Sequence, residues 1–542
     1  MGKFKKIIGI NVGHDGGCSL LIGGNIVATM AEERLTRVKY AYGWINSLKY
    51  CLEQNKINLS DIDLVVFSDY SDKIANGFDG GLSLFGLSKE KCIRVDHHLS
   101  HACSTYFTSP FEESLVFVFD AKGNNNSTES VYIAKGNNLK KIAENPINNY
   151  EKGIVAAYQA FTSYFGWHQN DAGKTMGLSS YGDAKKYSKY PLFTQEENGL
   201  CFNLLENHTA NGLELFCKNN NISVPPKFSA HYEEYKDMAA WIQSEFERVV
   251  ISTIDKFQKE TEIKNLCMSG GGALNTVCNT KVLQETDIEN LYIFPAAGDP
   301  GQSIGNVLYG YYIYNNNKRE VSPWRNDYRK SIYKNIDIEK TLLSLQNIVD
   351  LVIPKAPQFK YEKLSNIEKT TARLISENKI VGWFQGGSEI GPRALGHRSI
   401  LCNPGFKDMK GILNDRVKHR ESFRPFAASV LLEKMEDFFE FSLESPFMLL
   451  VVPVKKDKIG EIPAVTHIDG TCRIQTVTKK DDGLYYNLIK EFYKITGIPM
   501  VLDTSFNLAG EPIVESPIDA LRCFLSTEMD YLVIGDYLIE KK

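Results

Sequence analysis

This 542-residue chain lacks the sequence signals of secreted and membrane-spanning proteins. Its eleven cysteines are scattered without a Cys-x-x-Cys pair, which favours reduced thiols over a disulfide framework. Its longest apolar runs, such as 447–454, are strand-sized and too short to span a bilayer. The basic N-terminus leads directly into a strand rather than into the apolar region of a signal peptide. We therefore expect a soluble, cytoplasmic protein with no membrane partner.

The chain also lacks a concentrated charge of either sign. It has 62 Lys and Arg against 66 Asp and Glu, a net charge of -4, and no basic block. A nucleic-acid partner is therefore not expected. The chain is too long for one hydrophobic core, and we expect two domains, residues 1–350 and 351–542.

Histidines, in contrast, are concentrated in the segment 97–101. His97 and His101 stand four residues apart, so that on a helix both imidazoles leave the same face. The apolar, strand-length run that follows ends in Asp120, and Asp299 follows a later predicted strand. A carboxylate at a strand end beside such a histidine pair predicts a divalent metal site, with Asp299 as a further ligand. The alternative is that these histidines are ordinary core or surface residues.

The N-terminal residues 7–16 predict a buried strand that ends in a turn of small residues. A hairpin around Gly23 and Gly24 follows, and actin-like and sugar-kinase-like ATPases begin in this way, with the turn facing phosphates. A similar order of strand, small polar turn and hairpin around Asp120 indicates a duplicated fold. His14 in the first turn is placed for proton transfer, or alternatively hydrogen-bonds its own backbone.

Three glycine-containing segments are candidates for nucleotide contact. The first is the turn at Gly123 and Asn124, and the second is 171–178, which we predict to be a loop. Its Lys174 is positioned either for a phosphate or for solvent. The third lies between a predicted strand and a helix, where a ligand can approach glycine backbone closely. Its residues are Gly270, Gly271, Gly272 and Asn275.

The second half of the chain carries polar and basic residues next to glycines, prolines and strand ends. A helix over 363–378 and a strand over 380–384 are predicted before most of them. Converging guanidinium groups suit a phosphorylated anion, because each binds phosphate oxygens two at a time. Separate surface salt bridges are the alternative. The residues are Arg393, Lys418, Arg420, Arg424, Arg473, Ser505 and Asn507.

The motifs NVGHDGG, HHLSHA, GKTMGL, SGGGALN and AAGDPGQSIG together resemble the NodU/CmcH-type O-carbamoyltransferase family. The resemblance covers nearly the whole chain except 185–235, where no family motif is recognised, and residues 201–233 are expected to be a surface insertion. It implies an α/β fold with an N-terminal lobe that is duplicated and resembles the actin-like (sugar-kinase-like) ATPases. A C-terminal α+β lobe that processes carbamoyl phosphate would follow it.

The resemblance also implies a role for individual residues. The metal, Fe(II) by this resemblance, would be held by His97, His101, Asp120 and Asp299. The catalytic residues would be His14, as the base on the acceptor hydroxyl, and Lys39, as a nearby cation. The nucleotide would be bound by Gly123, Asn124, Lys174, Gly270, Gly271, Gly272 and Asn275. Carbamoyl phosphate would be bound by Arg393, Lys418, Arg424, Arg473 and Ser505. Ala121 and Lys122 depart from the glycine-rich turn that follows the metal-binding aspartate in relatives.

By this resemblance the protein is an ATP- and metal-dependent carbamoyltransferase. Carbamoyl phosphate would yield carbamate, ATP would convert it to carbamoyl-adenylate, and a hydroxylated small molecule would accept the carbamoyl group. Two alternatives are a metallohydrolase, which lacks the Glu of an HExxH motif, and a non-catalytic nucleotide sensor. A sensor would not need a second anion site.

The acceptor itself is not identified by the sequence. In the resembled family it is an antibiotic, a sugar of a signalling oligosaccharide or a toxin scaffold. Tyr40, Tyr42 and Trp44 follow Lys39 and either stack on an acceptor ring or pack in the core. The sequence also leaves open whether the protein forms a homodimer.

Overall fold

The computed structural model describes residues 4–69, 89–145, 150–325, 335–352 and 358–542. The chain divides into two compact units. The N-terminal unit comprises Met1–Thr36 and Tyr40–Trp324, and the C-terminal unit comprises Arg37–Lys39 and Arg325–Lys542. No helix among the described residues is long and apolar enough to cross a membrane.

Twelve strands of the N-terminal unit are described. They are β1 (Lys6–Asn11), β2 (Gly17–Ile22), β3 (Asn25–Ala31), β4 (Leu64–Ser68), β5 (Cys92–Arg94), β6 (Glu113–Phe119), β7 (Glu129–Lys135), β8 (Asn138–Glu144), β9 (Phe193–Gln195), β10 (Cys201–Asn203), β11 (Asn265–Ser269) and β12 (Asn290–Ile293). Ten of them form two five-stranded sheets of equivalent order, β3-β2-β1-β4-β5 and β8-β7-β6-β11-β12. In each sheet the first three strands are antiparallel and the last two join in parallel. This arrangement confirms the duplicated, actin-like lobe.

The described helices of this unit are α1 (Glu32–Thr36), α2 (Ile45–Asn55), α3 (His97–Tyr106), α4 (Ile154–Tyr164), α5 (Ala172–Ser179), α6 (Ala210–Asn219), α7 (Lys236–Thr261), α8 (Thr276–Glu285) and α9 (Gln302–Leu308). The predicted loop at 171–178 is wrong, because α5 occupies this segment and packs against α4 and α7. Its two glycines are tolerated since packing outweighs their low helix propensity. The region 185–235 contains β9, β10 and α6.

The C-terminal unit is built on a nine-stranded mixed sheet of order β13-β21-β20-β14-β15-β19-β16-β18-β17. Its strands are β13 (Phe359–Lys363), β14 (Val381–Phe384), β15 (Arg398–Cys402), β16 (Ala427–Leu431), β17 (Leu450–Pro453), β18 (Thr471–Val477), β19 (Met500–Ser505), β20 (Tyr531–Ile534) and β21 (Tyr537–Lys541). Its described helices are α10 (Asn335–Val352), α11 (Ile367–Ser376), α12 (Met409–Leu413), α13 (Met435–Phe438), α14 (Gly483–Thr496) and α15 (Pro517–Leu525). Helices and mixed strands together confirm the α+β class of this lobe.

The start of one predicted helix is wrong. The segment 363–378 was expected to be helical throughout, but Lys363 ends β13 and the helix α11 begins at Ile367. Asn366 fixes this start, because its side chain accepts a hydrogen bond from the backbone N–H of Lys369. The apolar residues of α11 then pack in a core with α14 and the central strands.

Candidate functional site

The predicted metal ligands come together in the N-terminal unit. His97 is the first residue of α3, and Asp96 caps this helix by accepting a hydrogen bond from Leu99. Asp120 directly follows β6, and Asp299 begins the short turn that leads into α9. One turn of helix, one strand end and the turn before α9 therefore position the four side chains.

The distances between the four side chains are short. The Nε2 atom of His101 lies 3.0 Å from Asp120 Oδ2 and 3.2 Å from Asp299 Oδ1. The Nε2 atom of His97 lies 3.4 and 3.5 Å from the same two oxygens. All four residues are buried, and one ligand atom of each lies within 4.8 Å of the others. Two imidazole nitrogens and two carboxylate oxygens form a donor set that could bind a divalent metal.

Neighbouring groups orient these donors toward a common point. Ser269 donates its hydroxyl hydrogen to the carbonyl of Ala297 at 3.1 Å, so its oxygen accepts from Nδ1–H of His101 at 3.3 Å. In the neutral imidazole, Nε2 of His101 is then the unprotonated nitrogen, as a metal ligand must be. The other oxygen of Asp120 accepts hydrogen bonds from Ala121 N at 2.8 Å and Gly271 N at 3.2 Å. The residues therefore fit a metal ion.

The electrostatics of the cluster point the same way. Burial lowers the pKa of His101, but the hydrogen bonds and charges of Asp120 and Asp299 outweigh it and raise that pKa to about 9. Burial raises the pKa of Asp120, but the hydrogen bonds to His101 and His97 hold it well below its usual range. Two carboxylates thus attract positive charge at this point, whether a proton or a metal supplies it.

His14 lies at the edge of the same cluster. Its Nδ1 is 3.0 Å from Asp15 Oδ2, and its Nε2 is 3.4 Å from Asp299 Oδ2. Asp299 therefore faces the histidine pair with one oxygen and His14 with the other. Burial lowers the pKa of His14, but the bond to Asp15 and the neighbouring carboxylate charges raise it to about 9.

The three aromatic residues near His14 have different environments. Trp44 belongs to a hydrophobic core and is a packing residue. Tyr40 stacks on His168, with ring centroids 5.8 Å apart. Tyr42 is 69% exposed and meets the His14 ring edge-on at 6.2 Å, so it is the one placed to contact a molecule at His14. Lys39 is exposed in the short segment 37–39 of the C-terminal unit.

The glycine turn after β11 supports the metal cluster. Gly270 has a φ of +90°, and an added Cβ would lie 2.2 Å from the carbonyl oxygen of Phe119, so this position requires glycine. Gly272 packs against the ring of Phe119 in the same way. Asn275 accepts a hydrogen bond from Cys278 N at 3.1 Å and thereby caps α8. These residues fix the backbone of the turn.

The other predicted nucleotide residues occupy two separate elements. Asn124 accepts a hydrogen bond from the backbone N–H of His97 at 2.7 Å, so the turn that begins at Gly123 folds back onto the start of α3. Lys174 lies on α5, with its Nζ 3.3 Å from Asp171 Oδ2. Their contact with a nucleotide stays a prediction.

The predicted anion-binding residues converge in the C-terminal unit because of the strand register. Arg473 on β18 and Asp503 on β19 both lie opposite Ala427, the first residue of β16. Because β19 is antiparallel to β16, Ser505 extends past this strand toward the preceding segment that carries Arg424. One end of three central strands therefore carries Arg424, Arg473 and Ser505.

Lys418 joins this group from the helical turn that follows α12. Its buried ammonium donates to the carbonyl of Ser505 and, at 2.9 Å, to Asn507 Oδ1. Burial and the charges of Arg420 and Arg424 lower the pKa of Lys418 to about 7. The lysine is thus held by neutral oxygens beside other cations.

The basic residues are close enough to perturb one another. Burial and the charges of Arg424 and Arg393 lower the pKa of Arg420 to about 9. Burial and the charge of Arg420 lower the pKa of Arg473 to about 10. The guanidinium of Arg473 makes no hydrogen bond or ion pair with any described residue, and its Nε is buried. A half-buried cation without a partner among the described residues favours an anion beside it.

Two residues at the metal cluster were not singled out as site residues from the sequence. Ser269 and Gln302 contact the metal cluster but belong to no ligand pattern. Arg420 stacks on Phe426 at 4.4 Å and donates to Asn414 Oδ1 at 3.2 Å, which fixes it within the basic group. The sequence had already placed Arg420 among the candidate anion-binding residues.

Two family models match the sequence. The carbamoyltransferase N-terminus matches residues 6–82 and 81–308, and the carbamoyltransferase C-terminus matches residues 372–541. Among curated proteins, nodulation protein NolNO of Sinorhizobium fredii is 33% identical over 98% of this chain and 79% of its own length. Nodulation protein U of Rhizobium tropici is 25% identical over 93% of this chain and 91% of its own.

Solved structures resemble part of the chain at low similarity. HypF of T. kodakarensis aligns with 57% of this chain and 48% of its own, at 12% identity and a TM-score of 0.35. The activator of 2-hydroxyisocaproyl-CoA dehydratase from Clostridium difficile aligns with 56% of this chain and 94% of its own, at 14% identity and a TM-score of 0.33. On the family matches, this chain belongs to the carbamoyltransferase family.

Proposed function

We propose that this protein transfers a carbamoyl group from carbamoyl phosphate, through an ATP-derived carbamoyl-adenylate, to a hydroxyl group of a small natural product or sugar. The observation that carries the proposal is that a member of this family combines two sites of different chemistry. The N-terminal unit has a buried nitrogen and oxygen donor set, and the C-terminal unit has a basic group in which Arg473 has no partner among the described residues.

In the first step, the C-terminal unit binds carbamoyl phosphate and water splits it into carbamate and phosphate. Arg393, Lys418, Arg424, Arg473 and Ser505 bind the phosphate oxygens in this proposal. Guanidinium groups suit this task because their donors match phosphate geometry and stabilise charge on the leaving phosphate. Free carbamate decomposes, so we expect this step to be sheltered from bulk water.

In the second step, an oxygen of carbamate attacks the α-phosphorus of ATP, and pyrophosphate leaves. His97, His101, Asp120 and Asp299 would hold the metal, which when bound neutralises charge on the phosphates. The resemblance favours Fe(II), and the donor set itself suits several divalent metals. The turn at Gly270 and Lys174 would contact the nucleotide.

In the third step, the acceptor hydroxyl loses its proton to the neutral form of His14, its oxygen attacks the carbamoyl carbon, and AMP leaves. Lys39 is proposed as a nearby cation. The exposed ring of Tyr42 beside His14 supports an acceptor that presents a sugar or ring face, since tyrosine combines apolar area with a polar tip. This places acceptor recognition next to the proposed base.

The test is pyrophosphate release from ATP by the full-length protein supplied with Fe(II), with and without carbamoyl phosphate. We expect release that requires carbamoyl phosphate and is lost in Arg473→Ala and in His101→Ala. Matched controls are Arg325→Ala, which removes a half-exposed arginine paired with Asp481, and His208→Ala, which removes a histidine paired with Glu151.

The two alternative functions give different results in the same assay. A metallohydrolase would be inactivated by His101→Ala but would not depend on Arg473 or on carbamoyl phosphate. A nucleotide sensor would bind ATP without releasing pyrophosphate, including when a panel of hydroxylated acceptors is added. Either result would contradict the proposal.

A further inference from the structure

Gln302 is placed inside the metal-ligand cluster, although no ligand pattern includes it. The residue is fully buried, with 0% of its surface exposed. Its amide Nε2 lies 2.8 and 2.9 Å from Nδ1 and Nε2 of His97, and 3.1 Å from His101 Nε2. The same nitrogen donates to Asp299 Oδ1 at 3.3 Å. The amide group therefore touches three of the four proposed ligands.

A chain of hydrogen bonds fixes which end of this amide faces the cluster. Asn306 donates from Nδ2 to the backbone carbonyl of Ile10 at 2.8 Å, and a carbonyl can only accept. The same nitrogen donates to Ser68 Oγ at 3.0 Å, so the hydroxyl hydrogen of Ser68 remains for Gln302 Oε1, which accepts it. Ser68 is fully buried. If the Gln302 amide were turned over, its NH2 group would face Ser68. The Ser68 hydroxyl would then lack an acceptor among the described residues, which is unfavourable.

The end of Gln302 that faces the cluster is therefore an NH2 group. An amide nitrogen that carries two hydrogens is a donor and not a ligand for a cation. Divalent metals that prefer six donors keep positions open beyond four protein ligands, and anions such as phosphate oxygens fill such positions. A fixed donor beside these positions is complementary to an oxygen anion.

We propose that Gln302 binds an oxyanion of the phosphate class at the metal cluster through its Nε2–H group and is not itself a metal ligand. This inference rests on the proposed function, because it assumes that the four residues hold a metal. It adds a substrate contact that favours an anion with hydrogen-bond acceptors over an apolar group.

The experiment uses Mn²⁺ and inorganic pyrophosphate as probes of the full-length protein. All variants carry Arg473→Ala, so that the basic group of the C-terminal unit contributes little to pyrophosphate binding. Mn²⁺ affinity is measured from the free-ion EPR signal, and pyrophosphate affinity by calorimetry with and without Mn²⁺. Gln302→Met keeps the side-chain length without the donors, and Gln302→Glu replaces the NH2 group by a charged oxygen.

We expect Gln302→Met to bind Mn²⁺ within about threefold of the parent and to bind pyrophosphate at least about tenfold more weakly, as for a lost hydrogen bond to a charged group. Gln302→Glu should bind pyrophosphate more weakly still without losing Mn²⁺. Ser68→Ala, which frees the amide to turn, should weaken pyrophosphate binding by a smaller factor. This second position tests the donor without altering Gln302.

Three results would overturn the inference. Loss of Mn²⁺ affinity in folded Gln302→Met would make Gln302 a metal ligand. Unchanged pyrophosphate affinity in both Gln302 variants would show that Gln302 does not contact the anion. It would not contradict the metal site. A parent protein that binds no Mn²⁺ would refute the metal site of the proposed function, and the role of Gln302 would be refuted with it.

Discussion

The buried ammonium of Lys418 makes the proposed binding of carbamoyl phosphate pH-dependent. Its hydrogen-bond partners are neutral oxygens of Ser505 and Asn507. Burial and the charges of Arg420 and Arg424 lower its pKa to about 7, against an ordinary value of 10.5. A phosphorylated anion placed among these cations favours the charged lysine and raises this pKa again. Above pH 7, anion binding should therefore take up a proton.

The size of the effect follows from this pKa. If the anion restores the ordinary value of 10.5, the change from about 7 corresponds to about 5 kcal/mol. Below pH 7 the lysine is charged with or without the anion, so its contribution to affinity is constant. Between pH 7 and 10.5 the free protein has lost the proton that the complex retains. The affinity should then fall by about tenfold for each pH unit.

The assay is calorimetric titration of the full-length protein with a hydrolysis-resistant phosphonate analogue of carbamoyl phosphate at pH 6.5, 7.5, 8.5 and 9.5. Buffers of different ionisation enthalpy report the number of protons taken up. Lys418→Met should bind more weakly at pH 6.5 and show no loss of affinity between pH 7.5 and 8.5, below the pKa of about 9 of Arg420. Lys434→Met, which removes a more exposed lysine paired with Asp437, is the control and should keep the wild-type profile.

Two outcomes would refute this reasoning. Affinity of the wild-type protein that does not change between pH 7.5 and 9.5 would mean that Lys418 does not lose its proton in the free site. An equal fall in Lys418→Met would assign the pH dependence to another group.

Three further predictions concern the N-terminal unit. Ser269→Ala removes the acceptor for Nδ1–H of His101 and should weaken metal binding by about 10- to 100-fold, measured by competition with a chelator. Burial raises the pKa of Glu129 to about 7, so the native state binds more protons than the unfolded state between about pH 4.5 and 7. Its contribution to stability should therefore fall as the pH rises through this window, and Glu129→Gln should remove that part of the pH dependence of urea denaturation. Gly270→Ala forces a Cβ against the carbonyl of Phe119 and should destabilise the unit by about 1–3 kcal/mol or more, measured by thermal unfolding.

Each of these predictions has a matched control. Ser114→Ala removes another buried serine hydroxyl, one that donates to backbone carbonyls away from the histidines, and should leave metal affinity unchanged. Glu144→Gln alters an exposed carboxylate and should keep the pH dependence. Gly136→Ala also has a positive φ, but no atom lies within 4 Å of its added Cβ, so it should cost less than Gly270→Ala. Equal effects in variant and control would contradict the corresponding prediction.

Periodicity and strand-end residues predicted much of the fold. The strand predicted over 380–384 is β14, which begins one residue later, and β2 and β3 form the predicted hairpin around Gly23 and Gly24. The prediction failed at 171–178, because two glycines and a polar composition suggested a loop. Tertiary packing of α5 against α4 and α7 overrides that local preference, and no local pattern reports such packing.

The candidate sites were predictable to the extent that their residues carry a recognisable spacing. His97, His101, Asp120 and Asp299 have such positions, and they lie together in the structure. Gln302 and Ser269 do not, because an amide or a hydroxyl acquires its role only from the groups around it. Their hydrogen bonds join segments far apart in the sequence, which a single sequence does not reveal.

The exchange of labelled pyrophosphate into ATP tests the central claim most directly, because it requires the carbamoyl-adenylate and no acceptor. The protein is supplied with metal, ATP and labelled pyrophosphate, with and without carbamoyl phosphate. We predict exchange only when carbamoyl phosphate is present, and its loss in Arg473→Ala. Exchange that is absent from the folded, metal-loaded protein, or that does not depend on carbamoyl phosphate, would contradict the account.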